Sequence, residues 1–253
     1  DWSTDSTAEV IQEFAKLDSK VRLLKGAELP SGWIGKNWAS HQLSQEAIGD
    51  YLLFINADTI LSEGTVSAAV TNSVNRAVDL LTVMPRRTVS CITEELIYPF
   101  IDWAAFCWMP MKIAHESGNP HLSATFGPFM LFKREAYEAI GGYESIRSNS
   151  LDDFELGRNI KRRGLKWMLF EGVNSVKVLA YKGNIDAFKG VSRSVVPALY
   201  YRVSAFLLLS MVVLGLGFLP LFTFAVGAIS YPNEMEFLFV GTGLIVIVAI
   251  PWL

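Results

Sequence analysis

Two oxygen-bearing side chains follow a short apolar run in the first quarter of the chain. The run spans residues 51–55, and Asn56 and Asp58 come directly after it. Because side chains alternate along an extended chain, Asn56 and Asp58 fall on one side, where their oxygens could share a divalent cation that also grips a diphosphate. The same two side chains could instead stabilise a turn, since Asn and Asp readily hydrogen-bond to nearby backbone. Both interpretations are open from the sequence.

Two adjacent carboxylates, Asp152 and Asp153, open an amphipathic stretch that ends at Arg163. One interpretation makes Asp152 the helix N-cap and Asp153 a first-turn acid, because the positive end of the helix dipole favours both. The other makes one of them a general base that faces the cation site. Sequence spacing does not decide between the two.

The elements that must position these residues follow from the hydrophobic pattern of residues 1–202. We predict strands at residues 21–24, 51–55, 78–83, 129–132 and 166–170, and helices at residues 8–17, 37–48, 65–76, 134–140 and 153–163. Strands that alternate with helices predict an α/β fold with a mixed, mainly parallel sheet flanked by helices. Ser62 is a predicted helix N-cap and Gly164 a predicted helix stop.

The charged residues are unevenly distributed along the chain. All 22 Lys and Arg residues precede residue 203, and of the 25 acids only Glu234 and Glu236 lie beyond it. A chain that is 51% hydrophobic with a net charge of -3 is neither disordered nor a typical nucleic-acid binder. We therefore predict one catalytic domain over residues 1–202 and a separate apolar region over residues 203–253.

The apolar region begins with 27 residues that carry no charge, 203–229. As a helix they would extend about 40 Å, which exceeds a bilayer core of about 30 Å. A second apolar run covers residues 237–253, so we predict a transmembrane hairpin in a multi-pass protein of the cell membrane. Basic residues precede the first run and only acids lie between the two, which predicts a cytoplasmic catalytic domain. A buried helical hairpin in a soluble core is the alternative.

Residues 96–111 are crowded with aromatic side chains between Pro99 and Pro110. The segment is too short to span a bilayer, and aromatic rings with polar edges favour the headgroup region. We predict an interfacial segment, with a buried core helix as the alternative.

Five motifs in this order resemble those of family 2 glycosyltransferases with the GT-A fold, especially membrane-anchored members associated with hopanoid and carotenoid glycolipids. They are Asp1-Trp2-Ser3-Thr4-Asp5-Ser6-Thr7, Gly32-Trp33-Ile34-Gly35-Lys36, Phe54-Ile55-Asn56-Ala57-Asp58-Thr59, Gly127 to Tyr137 with Ile140-Gly141-Gly142-Tyr143, and Asp152-Asp153 with Lys161-Arg162-Arg163-Gly164. The first resembles the second half of the family's Asp-Asp-x-Ser-x-Asp-x-Thr element, so we expect the first strand of the fold to precede Asp1.

The resemblance implies inverting transfer of a sugar from a nucleoside diphosphate sugar to a hydroxyl or carboxyl of a lipidic acceptor at the cytoplasmic membrane face. It implies that Asp58, with Asn56, ligates Mg or Mn on the diphosphate, and that Asp153 deprotonates the acceptor beside Asp152. Asp1 and Asp5 would lie near the nucleobase and ribose. Lys36 would be a diphosphate-binding or structural cation.

The chain also departs from the family pattern. Asn56 replaces the first Asp of the metal motif, which removes a negative charge and should weaken cation binding. Asp152 stands in place of Glu, and the Gln-x-x-Arg-Trp motif of processive synthases is absent, which favours a non-processive enzyme. Two alternatives stay open: a transferase with a polyprenyl phosphate acceptor, and a catalytically degenerate binding or scaffold module at the membrane.

Overall fold

A computed structural model of the protein describes residues 3–99, 110–198, 203–229 and 235–249. The chain divides into two compact units, one of Asp1–Thr88 with Met111–Leu179 and the other of Val89–Pro110 with Ala180–Leu253. The domain boundary at residue 203 stays a prediction.

The described elements follow one another along the chain as helices α1 to α10 and strands β1 to β5. They are α1 (Thr7–Leu17), α2 (Gly35–Glu46), β1 (Tyr51–Ile55), β2 (Thr59–Leu61), α3 (Thr65–Arg76), β3 (Leu80–Arg87), α4 (residues 92–99), α5 (Met111–Glu116), β4 (Phe129–Lys133), α6 (Arg134–Ala139), a 3-10 helix (Gly142–Ile146), α7 (Asp152–Arg162), β5 (Trp167–Val178), α8 (Asn184–Ala198), α9 (Val203–Ile229) and α10 (Met235–Ala249). The predicted helices at 8–17, 65–76 and 153–163 are confirmed to within one residue, because their amphipathic patterns are local signals.

The sheet of the first unit has the strand order β1-β4-β3-β5-β2. The pairing of β3 with β5 is parallel, whereas β1 with β4, β3 with β4 and β2 with β5 are antiparallel. The predicted mixed α/β sheet is confirmed, but its predicted mainly parallel character is wrong for the described strands. Strand β4 accounts for much of the difference: it lies between β1 and β3 and runs opposite to both, so that β3 ends and β4 begins at the same edge of the sheet.

Two local predictions fail and a third is confirmed. Residues 21–24 form no strand, since no ladder is present there, and β2 was not predicted. Ser62 is not the N-cap of α3: Gly64 holds that position with a positive φ, and the Ser62 hydroxyl donates to the Asn174 carbonyl. Gly164 is confirmed as the stop after α7, because its left-handed φ of 71° turns the chain so that the next N–H, of Leu165, reaches the Ile160 carbonyl.

The centre of the sheet is its most buried part. The side chains from Leu80 to Pro85 in β3 and from Phe129 to Phe132 in β4 are all buried. Strands buried on both faces carry near-continuous apolar runs, as both of these do. Strand β4 is therefore held in place by packing on both faces. This packing also fixes the position of the residues just before it.

The second unit is helical in its described parts. In its first segment the buried Glu94 carboxylate accepts hydrogen bonds from the backbone N–H groups of Tyr181 and Ser90, at 3.0 and 2.9 Å. Helices α9 and α10 pack closely, since a Cβ atom on Gly241 would clash with the backbone nitrogen of Phe224. Residues 100–109, most of the predicted interfacial segment, lie outside the described residues.

Among the described residues, none of the helices combines the length and apolarity that crossing a membrane requires. The predicted transmembrane hairpin is therefore not shown, although helices do occupy most of both predicted segments. Residues 230–234 and 250–253 of that region lie outside the described part of the chain.

Candidate active site

A cavity of about 980 Å³ opens in the first unit beside β1. Its lining includes Lys36 at the start of α2, Asn56 and Asp58 after β1, and Gly127 before β4. The fold thus brings together three of the predicted donor-site residues, although Lys36 lies 20 residues or more from the other two in sequence.

The register between β1 and β4 explains why these segments meet. Ile55, the last residue of β1, pairs with Phe129, the first residue of β4. The polar residues that follow β1 and the backbone that precedes β4 therefore lie at the same edge of the sheet. That edge is where the cavity opens.

Asn56 and Asp58 keep their side chains available in this arrangement. The turn is closed through main-chain groups, since the Asn56 carbonyl accepts from the Thr59 N–H and the Asp58 carbonyl from the Leu179 N–H. Neither side chain has a hydrogen-bond or ion-pair partner within the described residues. The turn-stabilising interpretation of the two side chains is therefore not supported.

Asp153, in the first turn of α7, reaches back to the cavity wall. Its Oδ2 accepts a hydrogen bond of 3.0 Å from the Gly127 N–H, and its Oδ1 accepts one of 2.8 Å from the Phe154 N–H. Burial raises the pKa of this carboxyl to about 6, with the Asp152 charge adding to the increase, while Lys36 and the two backbone donors oppose it. A carboxylate with this proton affinity suits a general base near neutral pH.

Asp152 does not cap the helix. Leu151 occupies the N-cap position, and the buried Asp152 carboxylate pairs with the Lys36 ammonium at 2.8 and 3.0 Å. The Tyr143 hydroxyl donates to the same carboxylate at 3.2 Å, and burial, helped by the Asp152 charge, raises the pKa of Tyr143 well above its usual value. The N-cap interpretation of Asp152 is therefore wrong, and the residue instead holds a charge beside Asp153.

The start of α2 is fixed to the segment that precedes α7. The buried Asn37 amide donates to the carbonyls of Ile146 and Asn149, at 3.0 and 2.9 Å. The Ile34 N–H adds a bond of 2.9 Å to the Arg147 carbonyl. These contacts hold Lys36 and Asp152 in mutual reach, and neither Asn37 nor Tyr143 was assigned a role from the sequence.

The loop that presents Gly127 has a buried cation beneath it. The Lys161 ammonium donates to the carbonyls of Ala114, Ser117 and Leu122, and lies 4.9 Å from the centre of the Trp167 ring. In the sequence, Lys161 is only the first of three adjacent cations, with Arg162 and Arg163, at the end of the predicted helix. The signal for its burial is its position four residues after the buried Gly157, on the same face of α7.

The residues predicted to lie near the nucleobase and ribose are Asp5 and Asp1. Asp5 lines a separate cavity of about 820 Å³, which shares Ala39 with the first. Its carboxylate accepts from the hydroxyl and N–H of Thr7, and these hydrogen bonds hold the pKa of Asp5 below its usual value. Asp1 lies outside the described residues.

The cation-binding capacity of the site is limited. Within the described part of the chain, no three His, Cys, Asp or Glu residues cluster in a way that could hold a metal ion. Asn56 and Asp58 offer one amide oxygen and one carboxylate, a donor set that fits Mg or Mn only if the phosphates of a ligand complete the coordination.

The comparisons with known proteins agree with this geometry. The family model described as Glycosyl transferase family 2 matches residues 1–141. Two curated relatives are named 4,4'-diaponeurosporenoate glycosyltransferase. The one from Staphylococcus haemolyticus (strain JCSC1435) is 26% identical over 184 residues, which cover 72% of this chain and 48% of the relative. The one from Staphylococcus aureus (strain MRSA252) is 27% identical over 191 residues, covering 75% and 49%. The chain thus spans about half the length of these curated relatives.

A solved structure extends the likeness to three dimensions. It is the mannosyltransferase PcManGT from Pyrobaculum calidifontis in complex with GDP-Man and Mn2+, with a TM-score of 0.51 and 16% identity, covering 98% of this chain and 74% of that one. At this level of identity the likeness shows the fold alone, a mixed α/β fold of the GT-A type.

Proposed function

The chain belongs to glycosyl transferase family 2, and on that premise we propose that it transfers a sugar, with inversion, from a nucleoside diphosphate sugar to a lipidic acceptor. The observation that carries the proposal is the position of the Asp153 carboxylate. It is hydrogen-bonded to Gly127, which lines the cavity that also contains Asn56, Asp58 and Lys36. A proton acceptor and a diphosphate-binding surface therefore share one site.

The chemistry follows from these residues. Asp153 accepts the proton of an acceptor hydroxyl as its oxygen attacks the anomeric carbon, and the bond from that carbon to the diphosphate oxygen breaks. Attack from the face opposite the leaving group inverts the anomeric configuration. An acceptor carboxylate would attack without giving up a proton and would depend less on Asp153.

Asn56 and Asp58 are the residues that would hold Mg or Mn against the diphosphate. When bound, the cation supplies positive charge that stabilises the departing diphosphate. Mn2+ is present in the Pyrobaculum mannosyltransferase complex, which supports a divalent cation here as a proposal.

A lipidic acceptor is supported by two observations. The curated relatives are named for diaponeurosporenoate, and the second unit of this chain exposes large apolar side chains, among them Phe218, Phe222 and Phe239. Basic residues of the same unit include Lys182 and Lys189. We propose that this unit associates with the cytoplasmic face of the cell membrane, because such surfaces attract apolar and basic side chains together.

The experiment is transfer of labelled sugar by the full-length protein to lipids of a membrane extract, with Mn or Mg present. We expect a labelled lipid product, and an Asp153→Asn variant that still binds donor but makes little product from a hydroxyl acceptor. Undiminished transfer by that variant to such an acceptor would exclude Asp153 as the base. Label found only in polyprenyl phosphates would favour the alternative acceptor class.

One observation favours a second candidate, a degenerate module that binds nucleotide without catalysis. Because residue 56 is Asn, the cavity edge carries only Asp58 of the two acids expected there for the family. Calorimetry with GDP-mannose, with and without Mn, separates the two when combined with the transfer assay. Binding without transfer under all acceptor conditions would favour the module.

A further inference from the structure

The Lys36 ammonium has one anionic partner, Asp152, and also borders the cavity. It pairs with the Asp152 carboxylate at 2.8 Å, and its side chain also lines the cavity that contains Asn56 and Asp58. The Lys36 side chain is 48% exposed, whereas that of Asp152 is only 7% exposed. The cation can therefore turn toward a ligand in the cavity, while the carboxylate cannot follow it.

Asp152 depends on this one cation. Among the described residues, Lys36 is the sole ion-pair partner of Asp152, and the Tyr143 hydroxyl is its other side-chain contact. A buried carboxylate that loses its counterion is strongly destabilised and favours proton uptake. The neighbouring Asp153 carboxylate also favours proton uptake if Lys36 moves away, since its own hydrogen bonds come from two backbone N–H groups.

A nucleoside diphosphate sugar would compete for Lys36. Its diphosphate carries two negative charges, and lysine binds phosphate as a compact point charge on a flexible stem. This step rests on the proposed function, because it takes the cavity to be the diphosphate site.

We propose that Lys36 is a positioning residue that couples donor binding to the catalytic pair: a diphosphate in the cavity draws the ammonium away from Asp152, and the Asp152 and Asp153 carboxylates then take up one proton from solvent between them. The groups that face the pair are Lys36 from α2, Tyr143 from the 3-10 helix, and the N–H groups of Gly127 and Phe154. Two neighbouring carboxylates repel each other, so without the Lys36 charge the pair holds its first proton more tightly, while the other carboxylate stays ionised. Donor binding thus changes the protonation of the pair and leaves one carboxylate able to accept the proton of the acceptor hydroxyl.

The test is calorimetric titration of the full-length protein with GDP-mannose or UDP-glucose, in the presence of Mn, in two buffers of different ionisation enthalpy. These diphosphate esters do not titrate near pH 7, so any proton exchanged belongs to the protein. We expect uptake of about half to one proton per donor bound, and a Kd that rises by up to about tenfold per pH unit.

Variants assign the effect to Lys36 and Asp152. Lys36→Met and Asp152→Asn should each lose most of the proton uptake, the first with weaker binding and the second with binding retained. Lys133→Met is the matched control, because Lys133 is similarly exposed at 46% and pairs with Glu135 away from the cavity lining. That variant should keep the full uptake.

The outcomes separate this inference from the proposed function. Donor binding without proton uptake, or uptake unchanged in a folded Lys36→Met or Asp152→Asn protein, would overturn the coupling alone. No binding of either donor by the wild-type protein would overturn the proposed function and the coupling with it. Thermal unfolding of each variant establishes that it is folded, and Asp152→Asn serves if Lys36→Met does not fold.

Discussion

A Cβ atom at position 127 would lie 3.1 Å from Oδ2 of Asp153. The same oxygen accepts the Gly127 N–H at 3.0 Å, so the backbone approaches the carboxylate closely from the side where a side chain would stand. Separations this short force a neighbour to move by a few tenths of an ångström. A side chain at this position would therefore displace the carboxylate that we propose as the base.

Gly127→Ala should displace the Asp153 carboxylate and lower kcat by about tenfold, because small misplacements of reacting groups are costly in rate. The temperature of unfolding should change little. Steady-state kinetics with a thermal melt measures both. Gly118→Ala is the control, since a Cβ atom there meets nothing within 4 Å and the variant should keep wild-type kcat.

Asp153→Asn should reduce transfer to a hydroxyl acceptor by about 10² to 10⁴-fold, the usual worth of a positioned general base. Donor affinity should stay within a few fold of wild type, because the residues we assign to the diphosphate are untouched. Glu135→Gln, an exposed neutralisation near β4, should leave transfer unchanged. A comparable loss of donor binding in Asp153→Asn would contradict the assignment.

The pH dependence of kcat/KM should show an acid limb near pH 6. Asp153 must be ionised to accept a proton, and its pKa is raised to about 6, so activity falls as the pH drops through that value. In Asp152→Asn the limb should move to lower pH, since a negative neighbour that raises this pKa is gone. An unmoved limb would show that another group controls it.

The free energy of unfolding should also depend on the ionisation of Asp153, but here ionisation is unfavourable. The folded-state pKa of Asp153, about 6, exceeds the ordinary value of 3.8, so the folded protein binds more protons and becomes less stable as the pH rises between these values. Asp153→Asn lacks this penalty. Its free energy of unfolding, relative to that of the wild type, should therefore increase by about 1 to 2 kcal/mol between pH 4 and pH 7. Urea unfolding at both pH values measures the difference, and a constant difference would contradict the burial of the charge.

Asn56→Asp should strengthen cation dependence. A second carboxylate at the cavity edge adds a charged oxygen ligand, so the Mn concentration needed for half-maximal donor binding should fall by about tenfold. Asp58→Asn should raise it. Calorimetry of donor binding across an Mn titration measures both, and an equal response in the two variants would exclude this pair as the cation ligands.

The amphipathic helices were predictable because their signal is local. The pattern of residues 153–163 marks α7 to within a residue, and Gly164 ends it as its type implies. Residues 21–24 carry a strand-like pattern but form no ladder, because pairing depends on a partner that the pattern does not contain. The orientation of β4 is likewise a property of its neighbours.

The candidate site was predictable in its members but not in its contacts. Asn56, Asp58 and Asp153 stand out by type and by their place at the ends of elements. The pairing of Lys36 with Asp152 spans 116 residues of sequence, and nothing local to either residue indicates it. The same holds for Lys161, whose three carbonyl partners come from α5 and the loop after it, 39 to 47 residues earlier.

The pairing of Ile55 with Phe129 fixes the edge of the sheet at which the candidate site lies. This pairing decides which residues after β1 and before β4 share the cavity edge, and a slip of one residue would turn every side chain of a strand to the opposite face. Changes in chain length are therefore tolerable outside these strands and not within them. We expect changes in acceptor preference to arise in loops such as residues 117–127, which end at Gly127 in the cavity lining, because an insertion there leaves the pairing of β1 with β4 in place.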